Sequence, residues 1–293
     1  MENNLLNLFA GDLQVANIAN TWIILMLAIS LICFLVSEIT RNYSQVDKLW
    51  SLMPIAYAGI TLSVFPDSPR LWLMTILVAI WGFRLSYNFS RKGGYNKIPW
   101  RGEEDYRWSI MREQPALKGR LRFGIFNLLF ISLYQQLLIM LFSTPLLLAA
   151  QFNEKPFTFF DAIPAFFMLM FIITETIADN QLFSFQKQKQ NLLPKESRFE
   201  KSHKQGFISQ KLFSIVRHPN FASEQAIWIS FYFFGVVASG DWFNWTAVGV
   251  LLLLLLFQGS SVLTENISSG KYPNYAAYQK AVPRFLPNPF RRK

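Results

Sequence analysis

The hydrophobic positions of this chain fall in long blocks, not at the every-third-or-fourth spacing of a helix that buries one face. Largely apolar blocks cover 19–39, 49–65, 71–90, 124–150, 160–183, 221–239 and 242–263. A bilayer crossing takes about 20 such residues. In lipid, backbone N–H and C=O groups must pair within their own segment, so the blocks predict α-helices. The second block is short and contains Pro54, and the fourth is long enough to tilt or to end at Pro145. Only Ser239-Gly240-Asp241 separates the last two, which predicts a tight hairpin. The expected fold class is all-α: a polytopic membrane protein of seven transmembrane helices, with 1–293 as a single transmembrane domain.

Charge orients this pattern. Segment 91–123 carries nine Lys/Arg, segment 184–220 carries eight, and 264–293 carries six. With seven crossings these three segments share one side with Arg41 and Lys48, and only Arg70 and Lys155 fall opposite. Basic loops stay in the cytoplasm. The N-terminus is therefore expected outside and the C-terminus in the cytoplasm. In a bacterial cell this would be a multi-pass protein of the inner (plasma) membrane.

Composition agrees with this reading. Hydrophobic residues make up 52% of the chain and charged residues 16%, against about a quarter charged in soluble domains. The net charge of +10 sits in short loops between apolar blocks. That placement argues against nucleic acid and leaves lipid head groups or a phosphate-bearing cofactor as anionic partners. The lone Cys33 can form no internal disulfide, and no Cys/His spacing suits zinc, so no metal is expected. The N-terminus lacks a basic region and its first apolar run starts late, so no cleavable signal peptide is expected.

Ionisable residues within or beside membrane spans are costly and are functional candidates by default. Here they are Glu38, Asp47, Lys48, Arg84, Glu175, Asp179, Glu224 and Glu265. All but Glu175 fall at or near the cytoplasmic half. Glu175 and Asp179 are four apart and share a helix face. Two readings stand side by side: structural pairing or snorkelling of each residue, or a polar cavity open to the cytoplasm. In Val216-Arg217-His218-Pro219-Asn220-Phe221, Pro219 suits the first turn of a helix. Arg217 and His218 would then form an anion site at a helix start. Tyr275 and Tyr278, with their basic neighbours, read as interfacial anchors or as the wall of a nucleotide pocket. Asp47 opens the second block, while Arg84, Tyr87, Asn88 and Arg91 close the third on the same side. An acid and a tyrosine there could polarise a substrate carbonyl; equally, Tyr87 and Trp50 suit the aromatic belt. Glycine-rich nucleotide fingerprints, phosphate loops, nucleophile elbows and His-Glu-x-x-His are absent.

The motifs follow in order: Val46-Asp47-x-x-Trp50; Trp81-Gly82-x-Arg84-Leu85-Ser86-Tyr87 with Glu104-Asp105-x-Arg107; Ala178-Asp179-x-Gln181 with Phe185; Arg217-His218-Pro219-Asn220-Phe221-x-x-Glu224; and Tyr275-x-x-Tyr278 to Pro287. Together they resemble the DUF1295 branch of the steroid 5-alpha-reductase family. The resemblance implies seven transmembrane helices and an NADPH held in the cytoplasmic half. It also implies a lipophilic substrate, an enone whose carbon–carbon double bond is reduced. Asp47 falls near the family's acidic substrate residue, and Tyr87 or Asn88 near its tyrosine. The cofactor positions would be Arg91, Glu175, Asp179, Arg217, His218, Asn220, Glu224, Glu265, Tyr275 and Tyr278. Segments 91–123, 184–220 and 264–293 would form the cofactor-binding loops.

Two other classes compete. Membrane methyltransferases of the isoprenylcysteine carboxyl type share the Arg-His-Pro-Asn block and use S-adenosylmethionine. A non-enzymatic transporter or scaffold would use the carboxylates as ion ligands or structural pairs, but the hydropathy shows no inverted repeat.

Overall fold

A computed structural model describes residues 12–287. Among these residues every regular element is helical. The elements are α1 (Leu13–Thr40), α2 (Gln45–Leu49), α3 (Met53–Val64), α4 (Pro69–Arg91), α5 (Tyr106–Glu113), α6 (Arg120–Gln151), α7 (Phe159–Lys189), α8 (Glu200–Gln205), α9 (Pro219–Ser239), α10 (Ala247–Lys271) and α11 (Tyr275–Ala281). Six of them, α1, α4, α6, α7, α9 and α10, are long and apolar enough to cross a membrane. The chain is thus built as an integral membrane protein. The last three basic residues of the tail, Arg291, Arg292 and Lys293, lie outside the described residues.

The second expected span differs. In place of one helix over 49–65 there is the short α2, a bend at 50–52, and α3 of 12 residues with Pro54 in its first turn. At 1.5 Å per residue α3 is about 18 Å long, less than the roughly 30 Å of a bilayer core. The fourth span does not stop at Pro145. Helix α6 runs 32 residues, with a π-helical stretch at Asn127–Tyr134 and a new turn opened by Pro145. Proline at the start of a turn gives up an N–H that has no partner there in any case. The Thr144 carbonyl instead accepts from Leu147 and Leu148.

The chain divides into two compact units. One runs to Ala165 and includes Phe231–Val250; the other comprises Phe166–Ser230 and the chain from Leu251 onward. Helices α7, α9 and α10 therefore belong in part to each.

In the first unit, α1 is capped by Asp12, whose carboxylate accepts from the N–H groups of Gln14 and Val15. It ends where Arg41 turns left-handed, φ 57°. Asn127 of α6 donates to Ser37 Oγ at 2.8 Å and to Glu38 at 3.0 Å, which ties the end of α1 to the early turns of α6. At the far end of α4, Arg70 is buried and forked onto the buried carboxylate of Asp161 at 2.6 and 3.1 Å. Its guanidinium also donates to the Pro156 carbonyl. Both ions are thus satisfied, which a charge out of water requires.

The second unit has two small aromatic cores. Phe185 packs with Phe199, Ile208 and Phe213, and Phe207 packs with Tyr275, Tyr278 and Val282. They pin the 190–218 segment and the tail to the membrane helices.

Candidate functional site

In the first unit the segment 93–113 folds over residues 42–48. Asn42 donates to the Gly102 carbonyl, Gln45 to the Trp100 carbonyl, and Lys48 to the carbonyls of Pro99 and Arg101. Tyr95 donates to the Lys48 carbonyl at 2.7 Å. The Lys48 ammonium is thus buried among neutral oxygens. Burial lowers its proton affinity, against the pull of Asp47.

Asp47 sits beneath this cover. Trp108 Nε1 donates to its carboxyl at 3.0 Å. Burial, followed by the negative charge of Asp105, raises the proton affinity of Asp47 above the ordinary carboxyl range; Arg107 and the bonds from Trp108 and Ser44 oppose this. Asp105 responds the other way. Burial pushes it up, but the fork from Arg107 at 2.9 and 2.7 Å outweighs that and leaves it low. Two neighbouring carboxyls are therefore driven apart, one toward acid and one toward anion, the pattern of a divided acid–base role.

Tyr87 does not join Asp47. It is 68% exposed, its ring lies under the Arg91 guanidinium at 5.7 Å, and no hydrogen bond links it to Asp47 among the described residues. Of the two candidates at this position, Asn88 is the buried one. Its amide oxygen accepts from Arg91 Nε and Nη2 at 2.9 and 2.7 Å. The helix phase of α4, and not the residue type, decides which neighbour faces inward.

The second unit gathers most of the remaining candidates. Pro219 opens α9 as expected, but the anion held by Arg217 and His218 at that helix start is the chain's own Glu265. Arg217 forks onto Glu265 at 2.7 and 3.2 Å, and His218 Nε2 lies 2.9 Å from the same carboxylate. Gln279 donates to it at 3.0 Å and Arg284 at 3.2 Å. Arg217 also donates to the carbonyls of Gln279 and Val282. Backbone bonds from Arg217 and His218 to Pro283 and Arg284 complete a clamp on the tail. These bonds engage both Arg217 and Glu265, so at this helix start the expected anion site is met from within the chain.

Tyr275 and Tyr278 are buried beside this clamp. Burial, with the Glu265 charge, pushes the Tyr275 phenol up to about 12. Tyr278 donates to the Phe213 carbonyl, and burial raises it as well. They act as a wedge between tail and loop, neither as surface anchors nor as exposed pocket walls. On the other side of the same short loop, Asn220 donates to Asp179 at 3.4 Å. Glu175, Asp179 and Glu224 are all buried. Glu224 accepts from Trp228 Nε1 at 3.1 Å, and Gln181 accepts from the Leu212 N–H. A concentration of acid and amide groups on apolar helices is a built polar site.

Three participants escaped the sequence reading. Trp108 lies 61 positions from Asp47, and no local signal joins them. Gln279 has no motif. Arg284 falls inside the closing stretch from Tyr275 to Pro287, but its partner Glu265 could not be read from that stretch.

The family described as a protein of unknown function (DUF1295) matches residues 33–282. The chain belongs to the DUF1295 family. An uncharacterised protein of Schizosaccharomyces pombe is 37% identical, over 97% of this chain and 86% of its own length. No solved structure matches. The family's general association is with steroid 5-alpha-reductase-like proteins.

Proposed function

We propose that this DUF1295 protein is a seven-span membrane reductase that uses NADPH to saturate the carbon–carbon double bond of a lipophilic enone. The observation that carries the proposal is the buried Asp179–Asn220 contact, with Glu175 and Glu224, among apolar helices. Such a set suits the hydroxyl and amide groups of a nucleotide, and Lys187, Lys195 and Lys211 of the adjoining basic segment suit its phosphates. Arg217, His218, Glu265, Tyr275 and Tyr278 shape that segment and hold it in place.

The cofactor would supply a hydride to the β-carbon of the enone. Asp47, held toward its protonated form in its own unit, is suited to donate a hydrogen bond to a carbonyl oxygen. Water would supply the proton to the α-carbon.

On this reading α3, too short alone, would make the seventh crossing together with the segments that flank it. The end of α1 bonds to the start of α6, and the segment after α1 bonds to the 93–113 loop that follows α4. The start of α4 bonds instead to the 155–161 turn that follows α6. These bonds support a change of sides between residues 41 and 68. With seven crossings the positive-inside rule would then put the basic segments on the cytoplasmic side and the N-terminus outside.

Calorimetric titration of the detergent-purified protein tests the proposal. NADPH should bind, and Asp179→Ala should weaken it at least tenfold while the melting curve stays cooperative. Heat with S-adenosylmethionine and none with NADPH would overturn the reading in favour of a methyltransferase.

A further inference from the structure

We infer a second binding site, one for an anionic phospholipid, on the membrane face between α1 and α6. A groove of about 420 Å³ opens there, lined by Phe34, Glu38, Arg120, Leu121, Gly124, Ile125 and Leu128. Its walls are aliphatic and aromatic along most of their length, the chemistry of an acyl chain. Gly124 forms the floor. A methyl group added there would meet only Glu38 Oε1, at 3.8 Å, so the groove owes its depth to the missing side chain.

The polar end decides the head group. Glu38 is the one acid at the rim, and its charge is already met: Arg41 bonds one oxygen at 3.0 Å and Asn127 the other at 3.0 Å. Arg120, and Arg122 two residues on, are exposed and have no acidic partner among the described residues. The unmatched guanidinium of Arg120 at the rim of an apolar trough fits a phosphodiester with its chain running down between the helices. A free phosphate would leave the trough unused, and a zwitterionic lipid would set its own cation against Arg120. The site is separate from Asp47, Asp179 and the Glu265 clamp in every residue it uses.

Native mass spectrometry of protein released from nanodiscs of equal phosphatidylglycerol and phosphatidylcholine tests the site. The wild type should retain one phosphatidylglycerol in preference to phosphatidylcholine. Arg120→Gln should reduce that preference about fivefold. Gly124→Leu should reduce retention of both lipids, because its side chain fills the trough. Lys201→Gln, an exposed charge elsewhere, should change nothing. Equal retention of the two lipids by the wild type, or undiminished retention by Gly124→Leu, would overturn the inference. Should Gly124→Leu fail to give a cooperative melt, Arg120→Gln decides the question.

Discussion

At the scale of single residues, the chain places acids in environments that give each a different task. Asp47 and Asp105 lie on neighbouring segments, yet burial dominates at the first and the Arg107 fork at the second. For Asp47 the folded state binds its proton more tightly than the unfolded chain does. Its contribution to stability is therefore complete below the ordinary carboxyl value of about 4 and is lost as pH rises through the raised folded value. Asp47→Asn cannot ionise. The melting temperature of Asp47→Asn relative to wild type should accordingly rise with pH from about 4 upward, by a few degrees. A difference that stays flat across that window would show that Asp47 has ordinary acidity. Sequence alone marked Asp47 as special but could not say which way it shifts, since the shift comes from burial and from Asp105, opposed by Arg107 and Trp108, and all three residues lie more than fifty positions away.

Among elements, the contacts that matter are close approaches between helices. Gly249 of α10 faces α6 so tightly that a methyl group added there would fall 2.2 Å from the Leu141 carbonyl oxygen and 2.5 Å from the Phe142 nitrogen. Both neighbours are backbone and cannot swing aside. Gly259, ten residues along the same helix, would meet nothing within 4 Å. Gly249→Ala should lower stability by about 1–3 kcal/mol, the usual cost of overpacking. Gly259→Ala should raise it by about 0.5–1 kcal/mol through helix propensity. Unfolding in detergent with added denaturant measures both; equal effects of opposite expectation would refute the packing of α6 on α10. Hydropathy located both helices to within a few residues. It could not distinguish these two glycines, because the difference lies in what stands opposite.

For the whole molecule, Glu265 is the joint that holds the tail. Two guanidiniums, an imidazole and an amide converge on one carboxylate, and they come from the loop before α9 and from the tail around α11. Removing the carboxylate leaves Arg217 buried without its anion, a change that costs about 3–5 kcal/mol when such a pair is broken. Glu265→Ala should free the tail. Trypsin cleavage at Lys271, Lys280 or Arg284 should then accelerate at least tenfold over wild type, with the membrane core left intact on a gel. Cleavage at the wild-type rate would mean that the aromatic wedge of Phe207, Tyr275 and Tyr278 holds the tail without help.

The amino-acid sequence by itself determined the helical class, the location of the six long membrane helices, the opening of α9 at Pro219 and the family. Each of these follows from local properties: unbroken apolar length, a proline's missing N–H, and motif order. Only the tertiary structure decided the rest. It divided the helices between two units, broke the second span into α2 and α3, and turned Asn88 inward in place of Tyr87. It also showed that the Arg217–His218 anion site is met by Glu265 from within the chain. These outcomes depend on helix phase and on partners many positions apart, and no local pattern carries that information.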